Sequence, residues 1–75
     1  MIEDIIINLL ADYLNVENYE LDRNTYLFME YSLNDFDIEE IIIMLEDEFE
    51  ITINVNDFNE LESIEDIIEY IEGNF

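Results

Sequence analysis

The sequence predicts an all-α protein: a small bundle of three main helices and one short helix, with a long loop between the first two helices. Apolar residues recur at helical spacing in three separate segments. The one β-branched run is too short and has no partner strand with which to form a sheet. A chain of 75 residues is long enough for one domain with a thin core, so we expect residues 1–75 to form a single domain.

The first helix is predicted over roughly residues 2–14. Its apolar positions follow the i, i+3, i+4, i+7 spacing of one helical face. They are Ile2, Ile5, Ile6, Leu9, Leu10 and Tyr13. Asn15 is the predicted terminator, because asparagine tolerates the left-handed conformation that ends many helices.

Residues 15 to about 34 show no sustained periodicity and predict a loop. The segment contains Arg23, the only basic side chain, and enough apolar residues to hold a loop against a core. Those residues are Val16, Leu21, Tyr26, Leu27 and Phe28. A structureless loop of this length is unusual in so small a domain, so the pattern alone leaves the segment unexplained.

The second helix is predicted to begin near Asn34 or Asp35 and to end near Glu48. Its buried stripe is predicted to contain Ile38, Ile41, Ile42, Leu45 and Phe49. Carboxylates of Asp35 and Asp37 lie at the positive end of the helix dipole, where negative charge is stabilising.

The remaining chain predicts a bend, a short helical turn and a final helix. The bend covers residues 51–54, and the turn is expected around residues 57–61. Ser63 is the predicted cap of the last helix, with Asp66 three residues on, and Gly73 closes it. The residues predicted to be buried there are Ile64, Ile67, Ile68 and Ile71.

The charge balance and the missing residue types exclude several classes of function. With 22 acidic residues against one basic residue, the chain repels nucleic acids and anionic membranes and attracts basic protein surfaces. It has no cysteine and no histidine, which removes thiolate and imidazole chemistry. We therefore expect a monomer of the cytoplasm whose partner is a protein, with neither nucleic acid nor membrane as a direct partner.

One segment points to a family. Residues 34–49 read NDFDIEEIIIMLEDEF and resemble the core motif of acyl carrier proteins, in which an Asp-Ser-Leu tripeptide opens an acidic helix with a Glu-Glu-Phe-like end. The resemblance extends in register over the whole chain, from the first helical face to the closing run Ile67–Ile71. It implies an acyl-carrier-like four-helix bundle, explains the long loop, and suggests a carrier-dependent system such as fatty acid or polyketide synthesis.

The chain departs from that family at its reactive position. In the family the serine hydroxyl carries a phosphopantetheine arm, whereas the matching residue here is Asp35, preceded by Asn34 in place of aspartate. A carboxylate does not form the stable phosphodiester that a hydroxyl forms, so no cofactor is expected. Ser32, followed by Leu33, is the alternative attachment site, and its modification would make the chain a functional carrier.

The resemblance also implies a docking face, because partner enzymes of the family bind through basic surfaces to the acidic second helix. The matching positions are Asn34, Asp35, Phe36, Asp37, Glu40, Ile43, Glu46 and Asp47. We therefore predict a module without an arm that docks onto a carrier-recognising enzyme or a regulatory protein, as a scaffold or regulator. The alternative from another class is an acidic nucleic-acid mimic that occupies a DNA- or RNA-binding protein.

Two further hypotheses on the acidic residues are disfavoured. Asp35, Asp37, Glu39 and Glu46 match the first, third, fifth and twelfth positions of a calcium-binding loop, but Glu40 replaces the glycine that its sharp turn requires. Paired carboxylates need an enclosed pocket to act as acid and base, which so small a bundle does not provide. We expect neither a specific metal site nor enzymatic activity.

Overall fold

The computed structural model describes residues 1–74 and confirms the all-α fold. The helices are α1 (Ile2–Leu14), α2 (Leu27–Glu30), α3 (Asp35–Phe49), α4 (Val55–Asn59) and α5 (Ile64–Glu72). A single 3₁₀ turn, Asn18–Glu20, lies between α1 and α2. The three longest helices, α1, α3 and α5, are the three main helices that the sequence predicts, and no strand occurs in this part of the chain.

Helix α1 has the predicted bounds, and Asn15 ends it in the left-handed conformation with φ 60°. On the apolar face of α1, Ile5 is 36% exposed. The buried residues of α1 are Ile6, Leu10 and Ala11. Because successive helical residues are rotated by about 100°, a face centred on Ile6 and Leu10 leaves Ile5 at its edge.

The segment between α1 and α3 is more ordered than the sequence indicates, since it contains both the 3₁₀ turn and α2. Helix α2 and the residues just before it are held by distant contacts with the start of α5. The Ile64 amide donates to the Thr25 carbonyl at 2.9 Å, and the Leu27 amide donates to the Glu62 carbonyl at 3.2 Å. Such bonds leave no local periodicity, which is why the pattern did not predict α2. The 3₁₀ turn is instead held locally, by a capping box between Glu17 and Glu20.

Arg23 joins this segment to both ends of the chain. Its Nε lies 2.8 Å from Glu3 Oε1 of α1, and its Nη1 lies 3.4 Å from Glu65 Oε1 of α5. The Glu65 amide also donates to the Arg23 carbonyl at 2.9 Å. One cation thus bridges two acidic helices that would otherwise repel each other at this point.

The core lies between α1, α3 and α5. Ile41, Ile42 and Leu45 of α3 are buried as predicted, whereas Ile38 and Phe49 of the same stripe are only partly buried. The four isoleucines that were predicted to be buried in α5 are fully buried: Ile64, Ile67, Ile68 and Ile71. Phe28 and Phe58 close one end of the core as an edge-to-face pair with ring centroids 5.7 Å apart.

The two C-terminal helices begin at side-chain caps. Helix α4 lies two residues earlier than predicted, because Asn54 accepts a hydrogen bond from the Asp57 amide at 3.0 Å and so starts it. The predicted capping box of Ser63 and Asp66 is confirmed. Gly73 ends α5 with φ −73°, a right-handed value, so the conformational freedom of glycine is not used there.

Candidate protein-docking site

The start of α3 is fixed by Asn34, which is a structural cap. Its side chain accepts a hydrogen bond from the Asp37 amide at 2.9 Å, and its own amide donates to Asp37 Oδ2 at 3.1 Å. This reciprocal capping box satisfies two backbone groups that the helix leaves unpaired. Asp35 is therefore the first helical residue, and its side chain is exposed.

Three residues bear on whether a phosphopantetheine arm can be attached near the start of α3. Asp35 offers no hydroxyl. Ser63 Oγ caps α5 by accepting from the Asp66 amide at 3.2 Å. Ser32 is exposed, but it lies in the turn before α3 with φ 52°, not at the start of the helix. The start of α3 therefore presents a carboxylate, and the nearest serine hydroxyl along the chain is that of Ser32 in the preceding turn.

A stripe of four side chains runs along the outer surface of α3. Phe36, Glu40, Ile43 and Asp47 are spaced four, three and four residues apart, which places them on one helical face. Phe36 is 64% exposed and Ile43 is 57% exposed. The stripe thus alternates apolar and acidic residues on a surface that nothing within residues 1–74 covers.

A cleft of about 370 Å³ lies beside this stripe, between α1 and α3. It is lined by Tyr13, Glu40, Ile43, Met44 and Asp47. Three of these residues come from the stripe, so the cleft and the stripe together form one surface with an apolar centre and carboxylates at its edge.

Tyr13 holds two carboxylates of α3 in place. Its hydroxyl lies 3.0 Å from Asp37 Oδ1 and 3.0 Å from Glu40 Oε1, and its single proton is shared between them. Partial burial, followed by the hydrogen bonds to Asp37 and Glu40, raises the pKa of Tyr13 above its usual value. The phenol therefore stays protonated, and stays a donor, throughout the physiological range.

The predicted docking residues divide into three groups. Phe36, Glu40, Ile43 and Asp47 lie together on the stripe, with Asp35 exposed at the helix start. Asn34 and Asp37 are engaged in the capping box. Glu46 turns toward the chain after α3, where its Oε2 accepts a hydrogen bond from the Ile53 amide at 2.8 Å.

Sequence reasoning missed two residues of this surface, Tyr13 and Met44. Tyr13 fits the apolar spacing of α1, and nothing in the local sequence indicates that its hydroxyl contacts Asp37 and Glu40, which lie 24 and 27 residues further along the chain. Its amphipathic side chain was the only available signal, because buried tyrosines usually place their hydroxyl on a polar partner.

The structure excludes the disfavoured calcium-loop hypothesis, because residues 35–46 lie within a continuous helix. In the described chain no three acidic side chains converge closely enough to hold a metal ion. None of its helices has the length and apolar character needed to cross a bilayer.

Comparisons with known proteins point to one family. Residues 4–71 match the family described as the phosphopantetheine attachment site. The acyl carrier protein of Porphyromonas gingivalis is 32% identical over 73 residues, covering 97% of this chain and 94% of that protein. The acyl carrier protein of Chlamydia felis is 29% identical over 70 residues, covering 93% and 90%, and that of Syntrophus aciditrophicus is 26% identical over 70 residues, covering 93% and 88%.

Proposed function

The chain belongs to the acyl carrier protein family, and from this premise we propose that it is a member that docks onto a partner without carrying an arm. Its partner presents a basic surface and is a carrier-recognising enzyme or a regulatory protein of a carrier-dependent system. The chain acts there as a scaffold or regulator, as a monomer in the cytoplasm, and performs no catalysis itself.

The exposed Ile43 carries this proposal. An isoleucine that is 57% exposed lies between Glu40 and Asp47 beside a cleft, although α3 buries Ile41, Ile42 and Leu45 on its other side. Protein interfaces commonly combine an apolar centre with a charged rim. The acidic rim attracts a basic partner from a distance, and Phe36 and Ile43 supply the apolar contacts once it has arrived.

The proposed absence of a phosphopantetheine arm rests on the identity of residue 35, which is an aspartate. Proteins of this family carry phosphopantetheine when they are modified, and are carriers rather than catalysts. Asp35 removes the hydroxyl but keeps one negative charge where the phosphodiester would lie. A partner that recognises charge at the start of α3 therefore finds it here, without an acyl chain attached.

Substitutions on the stripe test this proposal. Glu40→Lys and Asp47→Lys should slow association with the native partner and change its salt dependence, because exposed charges act mainly on the association rate. Ile43→Ala should speed dissociation by removing an apolar contact. The partner is isolated from the native cytoplasm by pull-down and mass spectrometry, and the rates are then measured by surface plasmon resonance.

Glu69→Lys on α5 is the matched control. Glu69 is exposed and lies outside the stripe, and unlike Glu65 it has no ion pair with Arg23. We expect Glu69→Lys to leave both rates nearly unchanged. Equal losses from Glu69→Lys and Glu40→Lys, with DNA competing for the partner, would instead establish the nucleic-acid mimic.

A further inference from the structure

The two acidic residues of the stripe, Glu40 and Asp47, are held differently by the rest of the protein. Glu40 Oε1 lies 3.0 Å from the Tyr13 hydroxyl of α1. The Asp47 carboxylate has neither a hydrogen bond nor an ion pair within residues 1–74. Both residues are exposed, so only one of the two carboxylates is fixed in position by a second helix.

The Tyr13 hydroxyl has a fixed second acceptor in Asp37. It lies 3.0 Å from Asp37 Oδ1, and Asp37 Oδ2 accepts a hydrogen bond from the Asn34 amide at 3.1 Å. Asp37 is thus tied at one oxygen to the cap of α3 and at the other to α1. The position of the hydroxyl relative to α3 is therefore fixed independently of Glu40.

Glu40 remains available to a partner while Tyr13 holds it. Of its two carboxylate oxygens, only Oε1 has a donor in the part of the chain that the structure describes. The single proton of the phenol can also pass wholly to Asp37 when Glu40 binds elsewhere. An exposed glutamate normally loses rotamer freedom on binding, and this loss opposes association. Because the fold already restricts Glu40, less freedom is left to lose.

We propose that Tyr13 is a positioning residue of the docking surface, whose hydroxyl holds Glu40 in the orientation in which the partner binds it. The hydroxyl acts through Glu40 and makes no contact with the partner itself. Because the phenol adds no charge, its effect is on the strength of docking and not on the attraction that brings the partner in. The role in docking rests on the proposed function, whereas the ordering of Glu40 by Tyr13 does not.

The first test uses the whole chain without a partner. Carbon-13 relaxation of the Cγ methylene groups reports the order of glutamate side chains on the picosecond-to-nanosecond timescale. We expect Glu40 to be more ordered than Glu39, an exposed neighbour whose carboxylate has no donor within residues 1–74. Tyr13→Phe keeps the ring and should lower the order of Glu40 to that of Glu39. Incorporation of 4-aminophenylalanine at position 13, which supplies a donor again, should restore it.

The second test is a pair of double-mutant cycles on the affinity for the native partner recovered by pull-down. Tyr13→Phe should weaken binding by about two- to tenfold, the range expected for ordering one side chain, and should leave the association rate nearly unchanged. In a Glu40→Ala background this loss should disappear, because no side chain is left to hold. In the matched Asp47→Ala background it should persist in full.

Three results would overturn the proposal. The first is an equal loss in both backgrounds, which would assign the effect of Tyr13 to general stability. The second is a Glu40 side chain that is as mobile in the parent as in Tyr13→Phe, and the third is a Tyr13→Phe protein that binds the partner as tightly as the parent. If Glu40→Lys and Asp47→Lys leave partner binding unchanged, the proposed function itself fails, and the relaxation measurement then decides whether Tyr13 holds Glu40.

Discussion

Ser32 adopts a backbone conformation that is unfavourable for a residue with a Cβ. Its φ is 52°, in the turn that leads into α3. The left-handed conformation costs such a residue about 1–2 kcal/mol relative to the right-handed one. This strained serine lies three residues before Asp35, in the turn that precedes α3.

Ser32→Gly should stabilise the protein. Glycine adopts positive φ without strain, and the gain exceeds the roughly 0.4–1 kcal/mol that its added freedom in the unfolded chain costs. We expect a net gain of up to about 1 kcal/mol in the free energy of unfolding, measured by urea denaturation. Ser32→Ala keeps the Cβ and should show no gain; an equal gain from alanine would assign the effect to the hydroxyl instead of the backbone.

Tyr13→Phe should lower the melting temperature, because Asp37 and Glu40 then lose their shared donor. The pKa of Tyr13 is higher in the folded protein than in the unfolded chain. The contribution of its hydroxyl to the free energy of unfolding is therefore fully present below the unfolded pKa of about 10 and is lost as pH rises beyond that value. The parent protein should thus lose stability in strong alkali more steeply than Tyr13→Phe, as measured by melting temperature against pH. Tyr19, which is 86% exposed, supplies the control: Tyr19→Phe should follow the parent.

At the scale of the elements, side-chain caps determine where the helices begin. Asn34→Ala removes the cap of α3 and should cost about 1 kcal/mol of unfolding free energy, whereas Asn34→Asp keeps an equally good cap. Both changes are measured by urea denaturation, with the exposed Asn56→Ala as control. An Asn34→Ala protein as stable as its parent would show that packing alone fixes the start of α3.

The sequence predicted the long helices well, because their apolar spacing and caps are local signals. The bounds of α1 and the start of α3 came from such signals. Helix α2 did not, since its order depends on long-range hydrogen bonds: the Ile64 amide donates to the Thr25 carbonyl, and the Leu27 amide donates to the Glu62 carbonyl. For the proposed docking surface, the family resemblance supplied the candidate positions on α3, but the contacts of Tyr13 and the hydrogen bond between Glu46 and Ile53 require the tertiary structure.

At the scale of the whole molecule, the net charge of −21 should make stability depend on ions. Exposed carboxylates repel one another, and at about 0.15 M ionic strength this repulsion is screened over roughly 8 Å. We expect the melting temperature to rise with sodium chloride and more steeply with millimolar magnesium or calcium. A melting temperature that is indifferent to these ions would show that the carboxylates lie too far apart to interact.

Mild acid should also stabilise the fold before stronger acid weakens it. Protonation first relieves repulsion. The backbone amides of Ser63 and Glu62 donate to Asp66 Oδ2 at 3.1 Å each and lower the pKa of Asp66. The ionised Asp66 carboxylate therefore stabilises the folded state at pH values above the unfolded pKa of about 3.9. This stabilisation is lost as pH falls through the lower folded pKa. Asp66→Asn should therefore melt below the parent at neutral pH, and the difference should close in strong acid.

Intact mass after treatment with a broad-specificity carrier transferase and coenzyme A tests whether the chain is free of a phosphopantetheine arm. We expect no mass gain from the parent chain, because residue 35 has no hydroxyl, and the gain of one phosphopantetheine group from Asp35→Ser combined with Asn34→Asp. The restored variant shows that the fold still presents the position to the transferase. A phosphopantetheine group on the parent chain, mapped to Ser32, would contradict the proposal that the chain carries no arm and would make this protein a functional carrier.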